Sequence, residues 1–123
     1  MEDLFRKGVE EFNVQSFFEA HDTWEELWRE TSGPHKLFYQ SLIQTAVAMY
    51  HYANGNYRGS CSQFGKALSK LDRYIPEHHG IDTQGLATGV RAWQRCAEER
   101  KEGSAQHADP ADFPRIQSTS QGR

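Results

Sequence analysis

The chain has 123 residues, of which 37% are hydrophobic, and its 17 acidic and 14 basic side chains give a formal net charge of −3. A chain of this length suits a single domain, and folding buries roughly 65% of the surface of the unfolded chain. The small negative charge offers no general attraction to nucleic acid or to an anionic membrane, so neither partner is expected. The charged N-terminus precedes no apolar signal segment, which predicts a cytoplasmic protein.

Two helices are predicted in the first thirty or so residues. The first covers residues 2–13, and the second begins after Ser16 and runs to about residue 30. Ser16 and Glu19 have the spacing of a capping box, which satisfies backbone N–H groups at a helix start. At ~100° per residue, His21 lies near the centre of the apolar stripe of the second helix and Glu25 lies at its edge. That stripe consists of Phe17, Ala20, Trp24, Leu27 and Trp28. A titratable pair is therefore expected to face the interior.

The third predicted helix, over residues 34–53, is apolar almost all round. Pro34 suits its first turn, and no Asp, Glu, Lys or Arg occurs from Leu37 to Ala53. Its glutamines, serine and histidine are costly in lipid, so residues 35–53 are predicted as the central helix of a bundle rather than as a membrane span. Gln40, Gln44 and His51 fall within a ~40° arc of this helix. An unpaired buried polar group costs ~1–3 kcal/mol, so these side chains need partners.

The rest of the chain predicts two more helices and a tail. Residues 54–56 form a turn, a fourth helix covers 57–74, and a fifth covers 83–102. Residues 77–80 are predicted as a loop, with His78 and His79 as plain loop residues because no third ligand is evident. Cys61 and Cys96 fall on inward faces and are expected to be buried and reduced.

The whole predicts an all-α bundle of about five helices, arranged as αα-hairpin pairs, in a single domain over residues 1–102. Residues 103–123 are rich in Ser, Gln, Asp, Pro and Gly and predict a flexible C-terminal tail, with residues 113–116 as one patch able to dock. Residues 12–28 also align with residues 52–68, and the second copy is similar to the second helix of a tetratricopeptide unit.

The predicted hairpin of the second and third helices brings the inward polar residues together. His21 and Glu25 come from one helix, and Gln40, Gln44 and His51 come from the other. Three interpretations remain open: a structural hydrogen-bond network, a pocket for a small ligand, and a divalent-metal site. Two histidines and a carboxylate suit a metal, and a histidine beside a carboxylate equally suits a general base. Glutamine is a poor metal ligand, which weakens the metal interpretation.

Three motifs resemble the domain-of-unknown-function family 309. They are Phe-Phe-Glu-Ala-His-Asp-x-Trp-Glu-x-x-Trp-Arg at residues 17–29, Gln-Ser-Leu-Ile-Gln-x-Ala-Val-Ala-x-Tyr-His at 40–51 and Gly-Asn-x-Arg-Gly at 55–59. The resemblance implies a small helical bundle with one central helix, from a prokaryotic cytosolic protein, and supplies no established activity. The family usually has Glu at Asp22, Gly at Ser41 and Ala at Ser60. The two serines are expected to loosen a close helix contact.

The leading hypothesis is a polar pocket between the second and third helices that binds a small molecule. The signature positions that the resemblance implies for it are Glu19, His21, Trp24, Glu25, Trp28, Gln40, Gln44, His51 and Arg58. In an enzymatic version, His21 acts as the base and Glu25 orients it, with His51 as a further catalytic candidate. The alternatives are a helical-hairpin protein interaction module with a structural polar network, and a hydrolase with a divalent metal on His21, Glu25 and His51. The sequence identifies no cofactor.

Overall fold

The computed structural model of the protein describes residues 2–104 and 107–119. Its elements are α1 (Glu2–Asn13), α2 (Phe17–Arg29), α3 (Pro34–Ala53), α4 (Tyr57–Leu71), a 3₁₀ helix (Asp72–Tyr74), β1 (Glu77–His78), β2 (Ile81–Asp82) and α5 (Thr83–Lys101). The predicted all-α bundle is confirmed, and the helix bounds agree with the sequence prediction closely. The last turn of the predicted fourth helix tightens into the 3₁₀ form. Among the described residues, no helix combines the length and the apolarity needed to cross a bilayer.

Helix α3 is the centre of the bundle. It packs against α2 on one side and against α4 on the other, while α1 covers α2 and α5 covers α4. Half of its 20 residues are buried because it has no charged face after its first turn. Phe38, Leu42 and Ala46 are fully enclosed. The predicted central helix is therefore confirmed.

Two family positions filled by serine fit without loosening the packing. Ser41 and Ser60 are both fully buried. The Ser41 hydroxyl donates to the carbonyl of Phe38 at 2.6 Å, and the Ser60 hydroxyl donates to the carbonyl of Ala48, across the α3–α4 contact, at 2.9 Å. The hydrogen bond of each hydroxyl offsets its desolvation, so neither fully buried serine shows the expected loosening.

The capping box predicted for α2 is also wrong in its serine half. Ser16 occupies the N-cap position, but its side chain makes no capping hydrogen bond. Side-chain caps occur instead at the two later helices. Asn56 accepts from the N–H of Gly59 at the start of α4, and Asp82 accepts from the N–H of Gly85 at the start of α5. The glycines permit this close approach, since a Cβ at Gly59 or Gly85 would collide with the capping side chain.

The predicted loop at residues 77–80 is in fact part of a β-hairpin. Strands β1 and β2 pair antiparallel, with His78 opposite Ile81. His79 and Gly80 form the two-residue turn, and both have positive φ values, 54° and 78°. Two positive φ values are typical of the type I′ turn, whose twist matches that of the paired strands.

The described part of the C-terminal segment, residues 107–119, lies along the body. The side chain of Asn13 makes two hydrogen bonds to the backbone of Ile116, and the Phe113 ring stacks on Trp93 with centroids 5.3 Å apart. The Tyr52 hydroxyl donates to the Asp109 carboxylate at 2.5 Å, and burial together with this contact raises the pKa of Tyr52 above its ordinary range. These contacts extend beyond the single docking patch expected over residues 113–116, and the flexibility of residues 103–123 stays a prediction.

Both cysteines are free thiols, as predicted. Cys96 is buried, whereas Cys61 is only half-buried. Burial raises the pKa of the Cys61 thiol. A thiol with a raised pKa holds its proton at neutral pH and is a poor nucleophile.

Candidate functional site

A groove runs along the seam between α2 and α3. One cavity of about 180 Å³ is lined by Phe18, His21, Val47, Tyr50 and His51. A second, of about 110 Å³, is lined by Glu25, Trp28, Gln40, Ile43 and Gln44. Both cavities are lined by the same two antiparallel helices, and their lining positions differ by seven residues, about two turns, toward the C-terminus on α2 and toward the N-terminus on α3. The cavities therefore follow one another along the seam. We call the pair the α2/α3 groove.

Helical spacing explains how six of the nine signature residues come to the groove. Residues three or four apart lie on one face of a helix, which aligns His21, Glu25 and Trp28 on α2. The same spacing aligns Gln40, Gln44 and His51 on α3. The short connection from α2 to α3 sets the helices side by side, so the two polar rows face a shared seam. The wheel directs His21 toward the core, but the structure places it in a surface groove with its side chain 21% exposed.

His21 lies among carboxylates of its own helix. Its Nε2 is 3.7 Å from Glu25 Oε1, and its Nδ1 is 3.3 Å from Asp22 Oδ1. The second contact is short enough for charge attraction but lacks hydrogen-bond geometry, and Nδ1 has no hydrogen-bond partner among the described residues. One ligand atom from each of the three side chains lies within 4.8 Å of the others. Asp22 is exposed, however, and exposed acidic side chains commonly gather without an ion.

His51 faces the same cavity as His21 from the other helix. Its Nδ1 lies 3.3 Å from the side-chain amide nitrogen of Asn56. The Asn56 oxygen already accepts from Gly59, which fixes the amide orientation and makes the nitrogen the donor. His51 Nδ1 is therefore the acceptor, and the proton of the neutral ring lies on Nε2. The ring of His51 thus offers a donor at that nitrogen.

Two buried polar atoms of the second cavity have no partner among the described residues. They are the indole Nε1 of Trp28, a donor, and the amide Oε1 of Gln44, an acceptor. The indole ring itself is fixed in place, because the ammonium of Lys36 lies 3.9 Å from its centroid and donates to the Trp28 carbonyl. An unsatisfied buried donor or acceptor costs about 1–3 kcal/mol. Both side chains line the cavity, while the two unpaired atoms themselves are shielded from solvent.

The other three signature residues lie outside the groove. Trp24 is fully buried, and its Nε1 donates to the carbonyl of Phe5 on α1 at 3.2 Å. Helix α2 is packed between α1 and α3. Trp24 lies on the face of α2 that contacts α1, whereas the groove residues of α2 lie on the face that contacts α3. Glu19 on α2 and Arg58 on α4 are exposed and line neither cavity.

The sequence interpretation missed the aromatic rim of the groove. Phe18 and Tyr50 are 47% and 41% exposed, and their ring centroids lie 5.3 Å apart across the seam. The Phe18 ring is also 5.6 Å from the His21 ring. The available signal was their position beside the predicted histidines, since Phe18 is three residues before His21 and Tyr50 precedes His51. Large exposed aromatic side chains beside a cavity are typical of binding surfaces.

Together, the five-helix bundle and its central buried helix define a small all-α protein with a half-open groove between two adjacent helices. Residues 5–62 match the model of a family described as domain of unknown function, DUF309. The matched part contains α2 and α3, and with them both cavities of the groove. The family resemblance drawn from the three motifs is thereby confirmed.

A curated relative comes from Bacillus subtilis (strain 168), where it is called uncharacterized protein YpuF. It is 30% identical to this chain over 82 residues, which are 66% of this chain and 45% of the relative. The chain thus spans less than half the length of that relative.

Proposed function

We propose that the α2/α3 groove binds a small, uncharged molecule with a flat apolar part and a neighbouring hydrogen-bond donor and acceptor, as in an aromatic amide. The observation that carries this proposal is that Trp28 and Gln44 line the same cavity and each has a buried polar atom, Nε1 and Oε1, without a partner among the described residues. Ligand sites commonly combine an apolar lining with a few placed polar groups.

The groove divides the two kinds of contact between its ends. The ligand's flat part fits the end where Phe18 and Tyr50 flank the cavity, because aromatic rings pack well against flat apolar groups. The amide-like group of the ligand fits the end lined by Trp28 and Gln44, whose Nε1 and Oε1 have no partner among the described residues. His21 and His51 line the same cavity as the aromatic rim, and His21 is the nearer of the two to the polar end, one helical turn before Glu25.

The charges around the groove favour an uncharged or cationic ligand over an anion. Glu25 lines the groove, and Asp22 lies beside His21 at its edge. Arg29 offsets part of this charge, since its guanidinium lies 3.5 Å from Glu25 Oε1. An anionic group would meet net repulsion there.

The alternative of a purely structural polar network predicts that the buried polar atoms pair with one another. The unpaired atoms of Trp28 and Gln44 count against that alternative, because an incomplete network costs stability. Catalysis by His21 with Glu25 as its orienting group is a narrower version of the proposal. His21 Nε2 and Glu25 Oε1 lie one turn apart on the same helix at 3.7 Å, which is longer than a hydrogen bond, so this version requires the two side chains to move closer when a ligand binds.

A thermal-shift screen of uncharged aromatic amides, with acidic and basic analogues as comparison sets, tests the proposal. Compounds that bind should raise the melting temperature of the wild type. The shift should be lost in Trp28→Phe and Gln44→Met, which remove the unpaired atoms. It should persist in Gln63→Met, which changes a half-buried glutamine of α4 outside the groove. Shifts that survive both groove variants, or hits found only among acidic compounds, would contradict the proposal.

A further inference from the structure

A second group of titratable side chains lies at the far end of α3, away from the α2/α3 groove. His35 comes from the first turn of α3, and His78 and His79 come from β1 and the turn that follows it. Their rings are close: the His35 centroid is 5.3 Å from that of His78 and 4.8 Å from that of His79. Three half-buried imidazoles in contact are unusual for residues with only a loop role.

Two ring nitrogens of this cluster face one another. His35 Nδ1 and His78 Nε2 are 3.3 Å apart. Two imidazole nitrogens bound at about 2.0–2.1 Å to one tetrahedral zinc ion lie roughly 3.3–3.4 Å apart. His35 Nδ1 and His78 Nε2 form a hydrogen bond at this distance, and an ion bound between the two nitrogens would take its place. We propose that His35 Nδ1 and His78 Nε2 bind a divalent transition-metal ion such as Zn²⁺.

The surroundings hold both imidazoles in place for such an ion. The His78 ring is packed edge-on against Phe38, with centroids 4.6 Å apart, and lies at the same distance from Tyr74. Behind His35, the Tyr39 hydroxyl and His79 Nε2 are 3.2 Å apart. Fixed rings lose little freedom when a metal binds, which favours affinity.

The chemistry of the cluster selects the class of ion. Histidine binds metals through an unprotonated ring nitrogen, and the His35–His78 pair supplies two ring nitrogens and no oxygen. Imidazole suits Zn²⁺, Ni²⁺ and Cu²⁺, whereas Mg²⁺ prefers oxygen ligands. Glu77 is next to His78 in the chain, but its carboxylate accepts from the Thr119 hydroxyl. A nitrogen-only pair therefore predicts zinc binding and no response to magnesium.

Titration calorimetry with Zn²⁺, on tag-free protein treated with a chelator, tests this inference. The wild type should bind one ion at this site, and His35→Gln and His78→Gln should each weaken binding by at least about tenfold. His21→Gln and His107→Gln should keep wild-type affinity. His107 is an exposed histidine outside the cluster, and His21 belongs to the acidic cluster of α2.

Cobalt provides a second measurement that does not depend on how the variants fold. Wild-type protein with Co²⁺ should show visible absorption bands of nitrogen-ligated, low-coordinate cobalt, and zinc should displace them. Wild type without zinc affinity or without these bands would overturn the inference. So would loss of binding in His21→Gln while His35→Gln and His78→Gln retain it, because the ion would then lie on α2. Neither result bears on the small-molecule groove, which is tested separately.

Discussion

Replacing Gln44 by methionine tests whether the polar atoms of the α2/α3 groove serve binding or stability. Gln44 Oε1 is buried in the groove wall without a partner among the described residues. Methionine has the same unbranched shape and nearly the same helix propensity, so the change mainly removes the unpaired acceptor. An unsatisfied buried acceptor costs about 1–3 kcal/mol, and the adjoining cavity lets the half-buried side chain relax. We therefore expect the free energy of unfolding to rise by about 1 kcal/mol.

Urea and thermal denaturation measure this change. A chain of this length has an unfolding entropy for which 1 kcal/mol corresponds to about 4 °C in melting temperature. The matched control is Gln63→Met on α4, which should change stability by less than about 0.5 kcal/mol. If Gln44→Met raises the free energy of unfolding by more than Gln63→Met does, the difference comes from the environment of Gln44 and not from the loss of an amide in general.

The sign of the change decides between the two interpretations of the polar set. Groups retained for function often sit in folded proteins at a cost to stability, so their removal stabilises. A member of a structural network behaves oppositely, because its removal leaves a partner unpaired. If Gln44→Met unfolds more easily than the wild type while Gln63→Met is unchanged, the reasoning from the unpaired atoms is refuted.

Two further predictions concern the packing that supports the site. A Cβ at Gly8 would lie within 2.5 Å of the Trp24 ring, whereas one at Gly65 meets no atom within 4 Å. Gly8→Ala should therefore lower the free energy of unfolding by about 1–3 kcal/mol, and Gly65→Ala should raise it by about 0.5–1 kcal/mol, both by urea denaturation. Equal effects would show that α1 does not approach Trp24 so closely. Asn13→Ala removes both hydrogen bonds to Ile116, each worth about 0.5–1.5 kcal/mol, and should speed proteolysis of the C-terminal segment. An unchanged cleavage rate would contradict this anchoring role.

Local patterns were enough to predict the helices and six of the residues that line the groove. The bounds of α3 follow from Pro34 at its start and the Asn-Gly turn at its end, and its central position follows from its uncharged surface. The polar rows on α2 and α3 follow from helical spacing alone. The exposure of these side chains could not be predicted in the same way. A helical wheel gives the direction of a side chain but does not show how far the neighbouring helix covers it. His21 accordingly lines a groove rather than the core.

Contacts between distant parts of the chain were out of reach. His35 and His78 are 43 residues apart, and their meeting depends on how the hairpin folds back over the start of α3. Composition likewise predicts a flexible C-terminal segment, since it cannot show that Asn13 is placed to bond Ile116 over 103 residues of separation. The His35–His78 contact and the Asn13–Ile116 contact both depend on tertiary geometry, which periodicity and composition do not report.

The described part of the C-terminal segment leaves the α2/α3 seam uncovered, which supports the proposal that a ligand binds there. Its residues contact other surfaces: Phe113 packs on Trp93 of α5 and Phe17 of α2, and Ile116 is buried beside α1. Cavities also lie beside this segment, one of about 290 Å³ next to Phe113 and one of about 220 Å³ next to Ile116, so open space alone does not single out the groove. What distinguishes the groove is the combination of exposed aromatic rings with buried polar atoms that have no partner among the described residues. Such a combination costs stability and is expected where a surface stays open to a ligand.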